Sequence, residues 1–166
     1  MHPSAKKVAD AARALGLDVE IVEFEQTTRT AQEAADAIGQ HPSGIGCQVA
    51  QIVKSLLFVV DGEPVMALVS GPNRLDERKL AALRGVGRKK VKRADADTAK
   101  AATGFSIGGV PPFGHTSSLP VYVDEDLTRF EVVWAAAGTP FAVFAIAPED
   151  LVRASGGTVA KLAADK

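Results

Sequence analysis

The sequence predicts an α/β protein of the α+β type, with a mixed, mostly antiparallel central β-sheet surrounded by helices. Two observations carry this. Apolar runs twice fold back across a short turn, at Val49–Val60 with Val65–Val69 and at Val132–Ala137 with Phe141–Ile146. The helical stretches between them are short, capped and irregularly placed. That spacing does not give the regular strand–helix alternation of a doubly wound parallel sheet.

Taken in order, Ser4 to Leu15 reads as a helix with Ser4 as N-cap, one apolar face (Val8, Ala11, Ala12, Leu15) and Gly16 as its stop. Val19 to Phe24 alternates as a strand. Thr30 caps a helix from Ala31 to Ile38, with Glu33 in the capping-box position and Gly39 as terminator. His41 to Gly44 is a loop. Val49 to Val60 is the strongest strand signal, and Asp61-Gly62 is a hairpin turn. Asn73 to Asp76 opens a helix that runs to Leu83 and stops at Gly85. A short strand is expected around Lys90-Val91-Lys92, a helix from Asp95 to Ala102 closed by Gly104, and a strand at Val121-Tyr122-Val123. Gly138-Thr139 turns the second hairpin, Pro148 starts a helix to Ala154, and the tail from Thr158 to Lys166 reads as helix or frayed end.

The 166 residues suggest a single domain over 1–166. Cys47 is the one cysteine, so no internal disulfide framework exists. The start lacks the apolar run of a signal peptide, and no apolar stretch approaches membrane-spanning length; a cytoplasmic protein with no membrane partner is expected. Net charge is −1, but Arg84, Arg88, Lys89, Lys90, Lys92 and Arg93 form a basic run without an acid. Such a run is either a solvated face beside a turn or a phosphate-contacting patch.

Ile107-Gly108-Gly109-Val110-Pro111-Pro112-Phe113-Gly114-His115 excludes both helix and central strand. Its apolar punctuation, with Phe105 before it, marks a rigid loop pressed on a core. It is either a tight structural turn or a place where a ligand meets the main chain. Lys54 is the second anomaly. Ile52, Val53, Leu56 and Leu57 flank it, so both faces of its strand are apolar. Such a lysine either snorkels to an edge or carboxylate, or stands as a cation at the floor of a pocket.

Gly104-Phe105-Ser106-Ile107-Gly108 fits a G-x-S-x-G nucleophile pattern, but the glycines and prolines after it forbid the required helix. No histidine follows His115 to complete a Ser106–Asp124–His115 triad in the hydrolase order. His2, His41 and His115 have no metal-ligand spacing with one another or with Cys47, and no phosphate-binding glycine motif occurs. No metal is expected.

Taken together, the chain resembles the YbaK family, free-standing relatives of the editing domain inserted in bacterial prolyl-tRNA synthetase. The resemblance rests on the Thr30–Gly39 helix, Lys54 within Ile52–Leu56, the Gly108–Pro112 loop, and Leu119 to Asp124 with Asp124 in the acidic position. It spans roughly residues 20 to 150. It implies the editing-domain fold and a metal-independent, cofactor-free hydrolase acting on the ester of a mischarged aminoacyl-tRNA, tRNA-Pro or a related tRNA carrying a small amino acid. Its alternative is a non-catalytic module of the same fold that binds tRNA, nucleotides or a synthetase.

By the same resemblance, Gly108 and Gly109 present backbone groups to the ester or terminal ribose, and Pro112 stiffens the loop. Lys54 contacts oxygens of the terminal adenosine or a water. Phe24, Ile45, Phe113 and His115 line the amino-acid pocket, and Asp124 belongs to the substrate site. Residues Arg84, Arg88, Lys89, Lys90, Lys92 and Arg93 meet the tRNA acceptor end, and a synthetase is a second candidate partner. Pro111 and Phe113 depart from the serine- or leucine-bearing loop of the bacterial cysteinyl-tRNA editors, and His115 stands where those editors commonly carry glutamine. Cysteine specificity is therefore not carried over.

Overall fold

The hairpin of β2 (Val53–Val60) and β3 (Glu63–Ser70) is the centre of the chain. Asp61 and Gly62 both take positive φ, +49° and +82°, the pair of conformations that a two-residue hairpin turn demands. The register runs from Val60 opposite Glu63 to Val53 opposite Ser70. Met66 and Leu68 are buried in one core, and Val65, Ala67 and Val69 in another, so β3 is covered on both faces. That is the continuous apolar run the sequence shows. The structure is a computed structural model and describes residues 1–165.

Around this hairpin the five-stranded sheet runs β4 (Val91–Arg93), β2, β3, β5 (Val121–Asp124) and β8 (Thr158–Ala160). β4 is antiparallel to β2, whereas β5 and β8 are parallel to their neighbours. A second, wholly antiparallel sheet has the order β1 (Ile21–Glu23), β7 (Ala142–Ile146), β6 (Val133–Ala136). One parallel bridge, Ile52 to Trp134, joins the two sheets. The mixed, mostly antiparallel character is as expected, and it is divided between two sheets.

The helices are α1 (Pro3–Ala14), α2 (Ala31–Gly39), α3 (Glu77–Leu83), α4 (Ala96–Thr103) and α5 (Pro148–Ser155). α1, α4 and α5 close the main core; α3 covers the opposite face of the large sheet, and α2 packs on the small one. Caps explain most boundaries. Thr30 accepts from Glu33 N at 3.1 Å, Asp76 from Arg78 N at 2.9 Å and Asp95 from Thr98 N at 2.8 Å. Gly104 ends α4 in the left-handed region.

Four expectations are corrected. His2, through its ring Nδ1, caps α1 in place of Ser4, because Pro3 already occupies the first helical position. The Glu33 carboxylate accepts from the Thr27 hydroxyl, so the capping box at Thr30 is one-sided. Val49–Gln51 is a 3-10 turn closed by Gln51 accepting from Gln48 N at 2.8 Å, and the strand starts only at Val53. The tail forms β8, which pairs with the outer edge of β5 and buries Leu162. Lys166 lies outside the described residues.

Candidate active site

β2 has an incomplete partner on its outer edge. The Ile52–Trp134 bridge closes one end and the pairing of Phe58 with Arg93 closes the other. Between them β2 and β6 part, and a cavity of about 420 Å³ opens. Most of its walls come from four places: the start of α2 with Thr28 and Arg29, the segment Ile52 to Leu56 at the start of β2, the loop residues Ile107, Gly108 and Val110, and Trp134 to Ala136 with Val143; Gly71 and Arg93 complete the lining. Two of these walls are fastened to the β6–β7 turn. Thr28 donates from its backbone N at 2.6 Å and from its hydroxyl at 3.1 Å to the Pro140 carbonyl. Gly138 N donates to the Gly109 carbonyl at 2.9 Å.

Lys54 stands at this opening. It is half-buried, one residue inside the start of β2 rather than mid-strand as its sequence neighbours suggested. Its ammonium donates to the Asn73 carbonyl at 2.5 Å. Burial, and then the Arg93 guanidinium, hold its pKa below the ordinary lysine range, while Asp124 pulls the other way. Arg29 and Arg93 also line the cavity, and among the described residues no carboxylate does. The space is therefore an electropositive cleft with apolar walls, suited to an ester whose carbonyl oxygen gains negative charge.

Asp124 does not enter the cavity. It is fully buried and accepts from Ser70 N (3.0 Å), Asp126 N (3.0 Å) and Asn73 Nδ2 (2.9 Å). Asp126 holds the same Asn73 amide at 2.7 Å. The acidic position thus fixes Asn73, whose carbonyl receives Lys54. It positions the cation and does not line the pocket.

The loop divides likewise. Gly108 lines the cavity at φ +95°, and a methyl there would reach 3.2 Å from the Arg29 side chain. Gly109 does not line it: its N–H donates to the Ser106 carbonyl at 3.1 Å and its carbonyl is taken by Gly138. A Cβ on Gly109 would lie 2.6 Å from Thr139 Cα, so glycine is required for the loop to sit on the hairpin turn. Pro112 and Phe113 are buried, the Phe113 ring 5.5 Å from that of Phe144 in the core. His115 Nε2–H donates to the Pro111 carbonyl at 2.7 Å, and burial lowers its pKa. Phe24 packs edge-on to His41, and Ile45 is 81% exposed. None of Pro112, Phe113, His115, Phe24 or Ile45 lines the cavity; the apolar loop side chains that do are Ile107 and Val110.

Ser106, Asp124 and His115 are not hydrogen-bonded to one another, among the described residues. Cys47 lies off the cavity, its thiol pKa pushed up by burial. Among the described residues no group of three or more His, Cys, Asp or Glu is arranged to hold a metal ion.

Beyond Lys54 a second, open groove of about 920 Å³ continues from the cavity, with Lys54, Leu56 and Arg93 common to both. Arg74, Arg78 and Arg88 join Lys54 and Arg93 there, against Asp76 and Glu77. The basic run is therefore split. Arg88 pairs with Glu77 at 2.7 Å, Arg84 with Glu63 and the Tyr122 hydroxyl, and Lys90 with Asp61 at 3.9 Å. Arg93 lies over the Phe58 ring at 5.5 Å. Lys89 and Lys92 are exposed and form no ion pair among the described residues. Sequence reasoning missed Thr28, Arg29, Ser55, Arg74, Arg78 and Trp134, because each reaches the site only through tertiary packing.

Residues 25–154 match the model of the aminoacyl-tRNA editing domain. The chain belongs to that family. Within it, the chain is 31% identical over 133 residues to the uncharacterized protein YwhH of Bacillus subtilis, covering 80% of this chain and 78% of that protein. It is 29% identical over 119 residues to EbsC of Enterococcus faecalis, provisionally named a Cys-tRNA(Pro)/Cys-tRNA(Cys) deacylase, covering 71% of each. A crystal structure provisionally described as a trans-editing enzyme for prolyl-tRNA synthetase superposes with a TM-score of 0.89 at 43% identity over 99% of both chains. Every residue that lines the cleft between β2 and β6 falls within the matched segment. No helix among the described residues is long and apolar enough to cross a membrane.

Proposed function

We propose that this editing domain hydrolyses the ester between a small amino acid and the terminal ribose of a mischarged tRNA, with tRNA-Pro as the first tRNA to test. The observation that carries this reading is the acid-free, cation-lined cleft at the open edge of β2, with Lys54 at its junction with a basic groove. The names of EbsC and of the trans-editing structure support the same substrate class.

In this reading the aminoacyl group enters the cleft and the 3′ end of the tRNA lies along the groove. Water adds to the ester carbonyl, the oxygen of that carbonyl becomes an oxyanion, and the bond to the ribose oxygen breaks. One proton of the water passes to the departing ribose oxygen, and the carboxylic acid formed loses the other to solvent, leaving a free carboxylate and an unacylated tRNA. An aminoacyl ester is already activated, so positioning and oxyanion stabilisation suffice and no protein nucleophile is invoked. Gly108, with no side chain, lets its main chain approach the ester. Gly109 and Pro112 hold the loop from behind. Lys54, fixed by Asn73, supplies positive charge to the terminal adenosine's oxygens.

The test is multiple-turnover release of free amino acid from tRNA-Pro charged separately with alanine, cysteine and serine. Catalytic release from at least one supports the reading. Stoichiometric binding without turnover would instead make the domain a binding module, and neither binding nor turnover would remove tRNA-Pro as substrate.

A further inference from the structure

One polar atom inside the fold has no partner. The Ser55 hydroxyl is buried, and among the described side-chain N and O atoms it alone is both buried and without a hydrogen bond. Ser55 follows Lys54 on β2 and lines the main cavity. It also lines a side niche of about 30 Å³ that shares Arg93, Ile107, Gly108 and Val110 with that cavity. Leu57, Ala94, Ala99, Ile107 and Val110 give the niche apolar side chains, Arg93 adds a guanidinium, and Ser55 supplies its one hydroxyl. The volume suits one water molecule or one terminal group of a small side chain. A buried hydroxyl left unpaired is unfavourable, and a ligand that pairs it recovers that loss.

We propose that Ser55 is a specificity-determining residue that hydrogen-bonds the side-chain hydroxyl of the amino acid, making a seryl ester the favoured substrate. This rests on the deacylase reading above. A hydroxymethyl side chain places its oxygen in the niche against Ser55. An ethyl side chain of the same shape places a methyl there and leaves the Ser55 hydroxyl unsatisfied. A site with a hydrogen-bonding group discriminates such isosteres more sharply than an apolar pocket separates chains by size.

The experiment compares kcat/KM for seryl- and 2-aminobutyryl-tRNA-Pro, two esters that differ by OH against CH3, with alanyl- and cysteinyl-tRNA-Pro alongside. The wild type is expected to favour the seryl ester by roughly tenfold or more, and Ser55→Ala to reduce that ratio by about tenfold. The ratio responds to the hydrogen bond and not to a general loss of folded protein. An unchanged ratio in Ser55→Ala, or turnover of the cysteinyl ester with neither member of the pair hydrolysed, would overturn the inference while the deacylase reading stands. Release from none of the four esters would overturn the deacylase reading for tRNA-Pro, and the inference with it.

Discussion

At Lys54 a half-buried ammonium beside an arginine is held by one carbonyl. Its retention at a cavity mouth makes structural sense mainly if an anionic or oxyanionic group completes its surroundings. Removing it eliminates a desolvated charge and one hydrogen bond together, so Lys54→Ala is expected to shift stability by no more than ~1 kcal/mol. His115 carries a different prediction. Its folded pKa is lowered by burial, so the unfolded chain takes up a proton first as pH falls below about 6.5. Stability present above that pH is therefore lost on acidification, down to the folded-state pKa. His115→Gln keeps a donor for the Pro111 carbonyl and should flatten this part of the pH dependence, as read by urea unfolding at pH 7.5, 6.5 and 5.5. An unchanged slope would assign the acid sensitivity to other groups.

The glycine–proline loop shows how two adjacent identical residues do different things. Gly109 is packed against Thr139 with both backbone groups engaged, whereas Gly108 faces the cleft beside a movable arginine side chain. Gly109→Ala forces the loop off the hairpin turn and should cost about 1–3 kcal/mol. The Tm then falls by roughly 2–4 °C per kcal/mol, which calorimetry reads directly. A Tm equal to the wild type would mean that the loop does not depend on this contact. Much at this scale was legible in the sequence. Asp61-Gly62, Thr30 and Gly104 each announce a turn or cap by local chemistry, and the apolar punctuation of the loop announced its burial. β8 was not legible, because Thr158–Ala160 becomes a strand only through the open edge of β5. The start of β2 was misplaced because Val49 and Ile52 are apolar for packing on α2 and the small sheet, not for strand alternation.

Over the whole molecule, the cleft exists because two sheets meet at one bridge and then diverge. No local pattern encodes that divergence, which is why Lys54 and Gly108 stood out in the sequence while Arg29, Ser55 and Trp134 did not. Phe24, Ile45, Phe113 and His115 were reasonable pocket residues by type, yet packing directs them to the core, to a hydrogen bond within the loop, or to solvent. Charge is likewise organised globally: Arg74 and Arg78 join Arg88 and Arg93 from a distance in sequence to form the groove. Replacing Arg74 and Arg78 together with glutamine should weaken tRNA binding and reduce the slope of log K against log salt by about two. Replacing the exposed Lys89 and Lys92 should change it less. The reverse ranking would move the tRNA from the groove to the β4 surface.

The measurement closest to the central claim is steady-state deacylation of mischarged tRNA-Pro by the wild type, Lys54→Ala and Lys54→Arg, with thermal melts of all three. The cleft reading predicts that Lys54→Ala loses at least a hundredfold in kcat/KM, about 2.7 kcal/mol of transition-state stabilisation, while its melting temperature stays near that of the wild type. Lys54→Arg should recover part of the activity. Wild-type rates in a folded Lys54→Ala protein would contradict the account, and would place the hydrolytic site away from the open edge of β2.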